Sequence, residues 1–366
     1  MHRSADAMNA VAPRTRDART HGGLHDAELS ALQLAPADVL DFSVSCNPYG
    51  PHPEVLRAIR DADATRYPDP HALPARRALG QALELDGARI ALGNGACDLL
   101  WTLARQLVRP GDRVVITEPS FCEFRAAAER AGARIVCVRA EPETDFALDL
   151  PAALAAARAS SARVLYLCTP STPAGTGLPA RDLVVAAREH PALTFIVDQS
   201  FLALSERFAD ARVELPDGVI AVRSLTKEHA IPGVRVGYLL ATPSQVHELD
   251  ANRPAWPVSA HAQAAAIAAC RTGPFVAESR ARLLEDRARL ATGLRALGLD
   301  PVPSTTCYLM TRVGRATEMR TRLLARHGIL VRDCSSFGLP EHIRVGARPP
   351  ADCARLLAAL RQELEP

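Results

Sequence analysis

Lysine occurs once in this chain of 366 residues, at position 227; the other 42 of its 43 lysine and arginine residues are arginine. Arginine serves wherever a surface needs a permanent cation or a bidentate pair, but it does not lose a proton near neutral pH and attack a carbonyl. A lysine that survives in so arginine-rich a sequence is a candidate for amine chemistry, above all a Schiff base. A codon bias that spared one lysine by chance would leave the same count, so its neighbours must decide. They read Ser224-Leu225-Thr226-Lys227, then Gly233-Val234-Arg235-Val236-Gly237-Tyr238. A hydroxyl just before the lysine and an arginine one strand-turn later can hold a phosphate, the arginine as a charged fork. The glycines let backbone turn close to a bound group.

Two further stretches carry chemistry. Phe195-Ile196-Val197-Asp198 is an apolar run that ends in an acid. An aspartate there can hold a pyridine nitrogen protonated, which makes the ring an electron sink; taken singly, it reads better as a helix-cap or loop aspartate, since aspartate often closes strands. Leu92-Gly93-Asn94-Gly95-Ala96-Cys97-Asp98 reads as a strand entering a helix through glycines. The amides of Gly95, Ala96 and Cys97 would then point at an anion, with the helix dipole assisting.

Something must bring these segments together. Short apolar runs at Arg89–Leu92, Arg113–Thr117, Arg134–Val138, Arg163–Cys168, Thr194–Val197, Val219–Arg223 and Val234–Leu240 read as strands. Helical patterns at Cys97–Val108, Cys122–Ala131, Leu150–Ala159 and Ala180–Glu189 lie between them. This alternation predicts an α/β fold, a mostly parallel sheet with helices on both faces, and ligands at the carboxyl ends of its strands. An Ala-rich stretch from Ser259 to Leu297, broken near Gly273-Pro274, reads as connecting helices. Strands around Cys307–Thr311, Ile329–Val331 and Ile343–Val345, with helices at Thr317–Arg326 and Ala351–Glu363, predict a smaller C-terminal α+β domain. The expected organisation is an N-terminal tail and arm over 1–45, mobile to about residue 18, a large domain over 46–255 and a small domain over 256–366.

Bulk composition narrows the classes. A net charge of +2 gives no case for nucleic acid, and no apolar run approaches the ~20 residues of a membrane span. The first twenty residues lack the apolar core of a secretory signal. Nine scattered cysteines without a C-x-x-C pair indicate neither a metal site nor a disulfide framework. Small buried thiols in a reducing cytoplasm are the expectation.

At this point the ordered motifs meet a resemblance. The S-x-T-K-x7-R-x-G-Y segment stands with Asn47-Pro48-Tyr49-Gly50-Pro51, Arg66-Tyr67-Pro68-Asp69, Gly93-Asn94-Gly95, Pro119-Ser120-Phe121, Asp198 and Arg344. In this set the chain resembles fold-type I pyridoxal-phosphate enzymes of the class I/II aminotransferase superfamily, within the branch of histidinol-phosphate aminotransferase and threonine-phosphate decarboxylase. The likeness runs from His21 to the C-terminus. It implies pyridoxal 5'-phosphate as cofactor, with an internal aldimine at Lys227. Asp198 would pair with the pyridinium and Phe121 would stack on the ring. Ser224, Arg235 and the amides of Gly95, Ala96 and Cys97 would hold the phosphate. Tyr67 would cross to the neighbouring subunit's cofactor, making the active unit a homodimer. Arg344 would clamp the substrate α-carboxylate and Arg332 a distal anion, while His21 and Asn47 would line the substrate pocket. Taken singly, Phe121 reads as a core aromatic, Arg332 and Arg344 as surface or ion-pair residues and Tyr67 as a turn residue; the joint order overturns these readings.

The pattern is broken in places. Thr172 stands where the family carries an asparagine that donates to the cofactor's phenolic oxygen, and Phe201 where many members carry a tyrosine that touches the same oxygen. Glu228-His229 replaces a pair that is often aromatic. Losing both donors should raise the pKa of the internal aldimine. The resemblance implies an aminotransferase acting on an α-amino acid, possibly a phosphorylated one, and leaves a decarboxylase releasing CO2 as the alternative.

Overall fold

The computed structural model describes residues 21–365; the expected tail over 1 to about 18 lies outside the described residues. The chain forms two compact units. The larger comprises 46–284 and 303–307; in the smaller, residues up to 45 are joined by 285–302 and 308 onward.

Seven strands build the sheet of the large unit, in the spatial order Ile90–Gly93, Gly237–Leu240, Val219–Ser224, Thr194–Asp198, Val164–Cys168, Arg113–Glu118, Arg134–Arg139. Gly237–Leu240 runs antiparallel to both neighbours, and every other pairing is parallel. The inner strands are apolar runs because both of their faces are covered. Side chains alternate between those faces. Val114, Ile116, Tyr166 and Val222 meet Leu99, Leu100, Leu103 and Phe124 from the Gly95–Leu107 and Glu123–Arg130 helices. Val115, Leu165, Leu167, Phe195 and Val197 meet the Leu150–Ser160 and Ala180–Glu189 helices. The last strand, Arg134–Arg139, has no fully buried residue and carries arginine at both ends, which suits a sheet edge.

Nearly all the expected strands and helices are present, with ends moved by one to three residues. Four helices are not among those expected: Asp26–Ala31, Pro53–Arg60, Leu73–Leu83 and Pro243–Ala251. The boundary between units also differs from the expected 255/256 and falls at 284/285. The cause is the Ala260–Ala269 helix, AHAQAAAIAA, which buries most of its alanines against Pro53–Arg60 and Leu73–Leu83. The arm preceding residue 46 is an integral part of the small unit: Leu40–Asp41 pairs in parallel with Ile329–Leu330, and Gly346 N donates to Phe42 O at 2.9 Å.

In the small unit Tyr308–Arg312, His342–Gly346 and Arg332–Asp333 form an antiparallel sheet with His342–Gly346 in the middle. The Ala316–His327 and Pro350–Leu364 helices cover it through Met319, Leu323, Leu356 and Leu360, which pack on Leu309, Ile343 and Val345. All nine cysteines are free; Cys168, Cys307, Cys334 and Cys353 are buried, whereas Cys137 is exposed on the edge strand.

Candidate active site

The residues singled out in the large unit stand at the ends of strands, as the parallel sheet requires. Asp198 closes one strand and Ser224 the next, and Ser224 is in register with Gly237. The glycine turn follows Gly93 and leads into the Gly95–Leu107 helix. Two glycines are required for this approach. A Cβ on Gly237 would lie 2.7 Å from Ala96 N and 2.9 Å from Arg223 O. Gly95 has φ +83°, and a Cβ there would lie 2.6 Å from Arg235 Nη2. The motif glycine at 237 thus lets the strand touch the turn, and Gly95 lets a guanidinium lie beside it.

That juxtaposition is electrostatically loaded. Arg235 is exposed and left-handed (φ +58°), a backbone conformation that costs a non-glycine residue roughly 1 kcal/mol. Its Nη1 donates to Pro232 O at 3.0 Å. The guanidinium therefore sits at the positive end of a 13-residue helix. Two positive groups so placed favour an anion beside them. Hydroxyls complete the seat: Ser224 Oγ and Thr226 Oγ1 lie 2.8 Å apart, and Thr226 N donates to Ser224 Oγ at 3.1 Å. Cys97 enters through its amide only, because burial, then Glu123, pushes its thiol up to about 12.

Asp198 is 2% exposed. Its Oδ1 accepts Ser200 N at 2.9 Å and its Oδ2 accepts Tyr166 OH at 3.4 Å. Burial raises its pKa, while Ser200, Tyr166 and the charge of Lys227 pull it back. A buried carboxylate of this kind is stabilised by a cationic partner. Lys227 is half-buried, and its Nζ lies 5.6 Å from the centre of the Phe201 ring. Phe121 is half-buried and, with Ala96, packs against the cluster that contains Tyr166. Thr172 is buried, in the loop after the Val164–Cys168 strand.

The other expected residues have partners of their own. Asn47 holds the lysine's own backbone: its N donates to Lys227 O at 2.8 Å and its Nδ2 to Glu228 O at 2.9 Å, while its Oδ1 accepts Tyr49 N at 3.0 Å. Tyr67 is 80% exposed and stacks on Trp256 with ring centres 4.5 Å apart. Arg332, Arg344 and His21 belong to the small unit. There Arg344 Nη2 donates to Ser43 O at 2.9 Å and Arg332 Nη2 to Ser336 Oγ at 2.6 Å. Tyr166 was missed in the sequence. It lies two residues before Cys168, which pairs with Asp198, and the signal was its place on the same face of a neighbouring strand.

A phosphorylated pyridine aldehyde needs an amine, an acid for its ring nitrogen and a seat for its phosphate. The large unit offers Lys227, Asp198 and the Gly95–Arg235–Ser224 cradle, so the residues fit that group. Fold and site define a pyridoxal-phosphate enzyme of fold type I. Comparison with known proteins agrees. The family model "Aminotransferase class I and II" matches residues 37–360, and the chain belongs to this family. It is 35% identical to a histidinol-phosphate aminotransferase of Symbiobacterium thermophilum, covering 91% of this chain and 92% of that protein. The histidinol-phosphate aminotransferase of Sinorhizobium meliloti, solved in complex with pyridoxal-5'-phosphate, is similar in structure with a TM-score of 0.84 at 27% identity, over 97% of this chain and 98% of that one. An L-threonine-O-3-phosphate decarboxylase from Porphyromonas gingivalis is similar with a TM-score of 0.74 at 25% identity, over 90% and 100%. The protein is a pyridoxal-phosphate-dependent aminotransferase of this family.

Proposed function

We propose that this aminotransferase acts on a phosphorylated amino compound, with Lys227 as the attachment point for the cofactor and Arg332 and Arg344 as seats for substrate anions. One observation carries the substrate class. Arg332 is directly opposite Arg344 on neighbouring antiparallel strands, so both side chains leave the same face of the small sheet. Both are less than one-tenth exposed. Two buried guanidinium groups on one face favour a ligand with more than one negative charge. The names of the relatives, which specify phosphorylated amino substrates, support the same class.

When bound, the cofactor supplies an electron sink for the charge left on the substrate Cα as a bond there breaks. Lys227 Nζ would hold the cofactor and move a proton to and from the substrate Cα. Asp198 holds the proton on the ring nitrogen. Ser224, Arg235 and the amides of Gly95, Ala96 and Cys97 hold the phosphate, Phe121 covers a ring face, and the Thr172 hydroxyl donates toward the phenolic oxygen. Asn47 fixes the two peptide units that follow Lys227, which limits the arc its amine can sweep. Tyr67 reaches the neighbouring subunit of a homodimer; the exposed Tyr67–Trp256 stack supports this, since a paired exposed aromatic patch is a common contact surface. Nine free cysteines support a reducing, cytoplasmic setting.

The test offers the purified enzyme histidinol phosphate or L-threonine O-3-phosphate as donor and a 2-oxo acid as acceptor. The expected result is an aminated acceptor, with Arg332→Ala and Arg344→Ala each raising KM for the phosphorylated donor by about tenfold or more, the worth of a charge-assisted hydrogen bond. Release of CO2 without an aminated acceptor overturns it and supports decarboxylation.

A further inference from the structure

The Ile90–Gly93 strand lies at the edge of the seven-stranded sheet, so carbonyls on its outer side have no strand to meet. One of them, Leu92 O, stands immediately before the Gly93-Asn94-Gly95 turn, and it accepts a hydrogen bond from Arg253 Nη1. Arg253 follows the Pro243–Ala251 helix, and its side chain is only 5% exposed. Nη2 of the same guanidinium donates to Asp250 Oδ1 at 2.6 Å. Asp250 in turn accepts from Arg76 Nη2 at 2.8 and 2.7 Å, and Arg76, on the Leu73–Leu83 helix, is 6% exposed. Asp250, which holds the guanidinium, is thus itself held from a third element. On the other side of the turn, Asp98 Oδ2 accepts Asn94 N at 3.0 Å.

Burial works against the Arg253 cation; Asp250 and Asp98 favour it, and Arg76 opposes it. Burying a guanidinium is costly, and water satisfies an edge carbonyl without that cost. What a pinned arginine adds is a fixed position for one peptide. That peptide leads directly into the turn whose amides face Arg235.

We propose that Arg253 is a positioning residue for the cofactor phosphate: by holding Leu92 O it fixes the glycine turn whose Gly95, Ala96 and Cys97 amides receive that phosphate. The proposal rests on the reading of this turn as the phosphate seat. Arg253 touches neither cofactor nor substrate, and its effect passes through backbone geometry. The effect must therefore fall on ligands that carry the phosphate and spare those that lack it.

The experiment resolves the holoenzyme to full-length apoprotein and titrates it with pyridoxal phosphate and with pyridoxal, following the absorbance of the bound ligand. Wild type should bind pyridoxal phosphate more tightly than pyridoxal. Arg253→Met should weaken pyridoxal phosphate by about tenfold or more, the worth of one charge-assisted hydrogen bond, and leave pyridoxal unchanged. Arg253→Lys should recover part of the loss, and backbone amide exchange at Asn94, Gly95 and Ala96 should quicken in the Arg253→Met apoprotein. If Arg253→Met fails to fold, Arg253→Lys carries the same test, because an amine cannot reach Leu92 O and Asp250 with the same fork. Unchanged affinity for pyridoxal phosphate, or equal losses for both ligands, overturns the proposal while the phosphate seat stands. A failure of the seat itself looks different: wild type binds both ligands equally, and Ser224→Ala and Arg235→Gln leave pyridoxal phosphate affinity unchanged.

Discussion

Replacing Glu228 by glutamine should remove a decline in stability that wild type shows between pH 6.5 and 9. Glu228 follows the reactive lysine, is 5% exposed, and its Oε2 has no hydrogen-bond partner among the described residues. Burial pushes its carboxyl from an ordinary 4.5 up to about 8, against the opposing pull of its own backbone amide, Lys227 and Arg223. The folded state therefore binds a proton that the unfolded chain has already lost. The stability this contributes is fully present below 4.5 and disappears as pH rises through about 8. His229 acts in the opposite direction: burial, then the charge of His52, lowers it from 6.5 to about 4, so its contribution is complete above 6.5 and fades only in acid. The thiols of Cys97, Cys137 and Cys270, raised by desolvation, begin to act only above their ordinary 9. Of these groups, Glu228 alone titrates between 6.5 and 9. At ~1.4 kcal/mol per pKa unit, the 1.5 units from 6.5 to 8 amount to about 2 kcal/mol. For a unit of this size that is roughly 4–8 °C in melting temperature. Melting curves of the apoproteins across this range measure it. The wild-type melting temperature should fall relative to Glu228→Gln by that amount between pH 6.5 and 8, with the two differing by a constant only below about pH 4.5. Parallel curves up to pH 9 would refute the reasoning and mean that Glu228 ionises at its ordinary value in the fold.

Three further outcomes follow. Borohydride reduction of the holoenzyme should label one internal peptide, that of Lys227, since the chain has no other lysine; label in a second internal peptide refutes the assignment. Asp198→Asn should fold and bind cofactor but lose roughly 10²- to 10³-fold in turnover, as when one preorganised charge partner is removed; near-normal rates would mean that the ring nitrogen is not used. Phe201 lies against Lys227 and Thr172 is buried in the adjoining loop position expected to face the phenolic oxygen. Thr172→Asn with Phe201→Tyr should therefore lower the pH midpoint of the bound cofactor's absorbance change by about one unit, and coincident titrations would show that another residue already supplies the hydrogen bond.

The site was legible in the sequence where its residues fall within a few positions of a strand end. Lys227, Ser224 and Arg235 are read from one stretch, and the apolar runs before Asp198 and Gly93 fix the ends from which those groups project. The glycines were legible as freedom to turn, but the reason was not. Only the fold shows that Gly237 must clear Ala96 N and Gly95 must clear Arg235. Asn47 illustrates the limit of a motif. The resemblance implies a place for it in the substrate pocket; its amide is bonded to Glu228 O and Tyr49 N, contacts that no spacing encodes. The domain boundary was illegible for a different reason. Ala260–Ala269 has no strongly polar face, so its pattern does not tell which neighbour it packs on.

What the sequence withheld is mostly pairing between distant segments, and that pairing is what gives isolated residues their chemistry. Arg332 and Arg344 are two arginines among 42 until the antiparallel register sets them opposite each other. Arg253 is a surface-type residue by composition until its guanidinium is found under an edge strand, 161 positions from the carbonyl it holds. Arg235 gains its meaning from a helix that begins 140 residues earlier, because a cation at a helix N-terminus is unfavourable without an anion. In each case a cation is kept where it costs stability. A chain whose other cationic side chains are nearly all arginine still places these four where simple solubility would not put them. On the function proposed above, ligands bring negative charge to three of them, phosphate to Arg235 and substrate anions to Arg332 and Arg344, while Asp250 serves Arg253. By the same logic, bound cofactor should stabilise the large unit most at low ionic strength, where the repulsion it relieves is least screened.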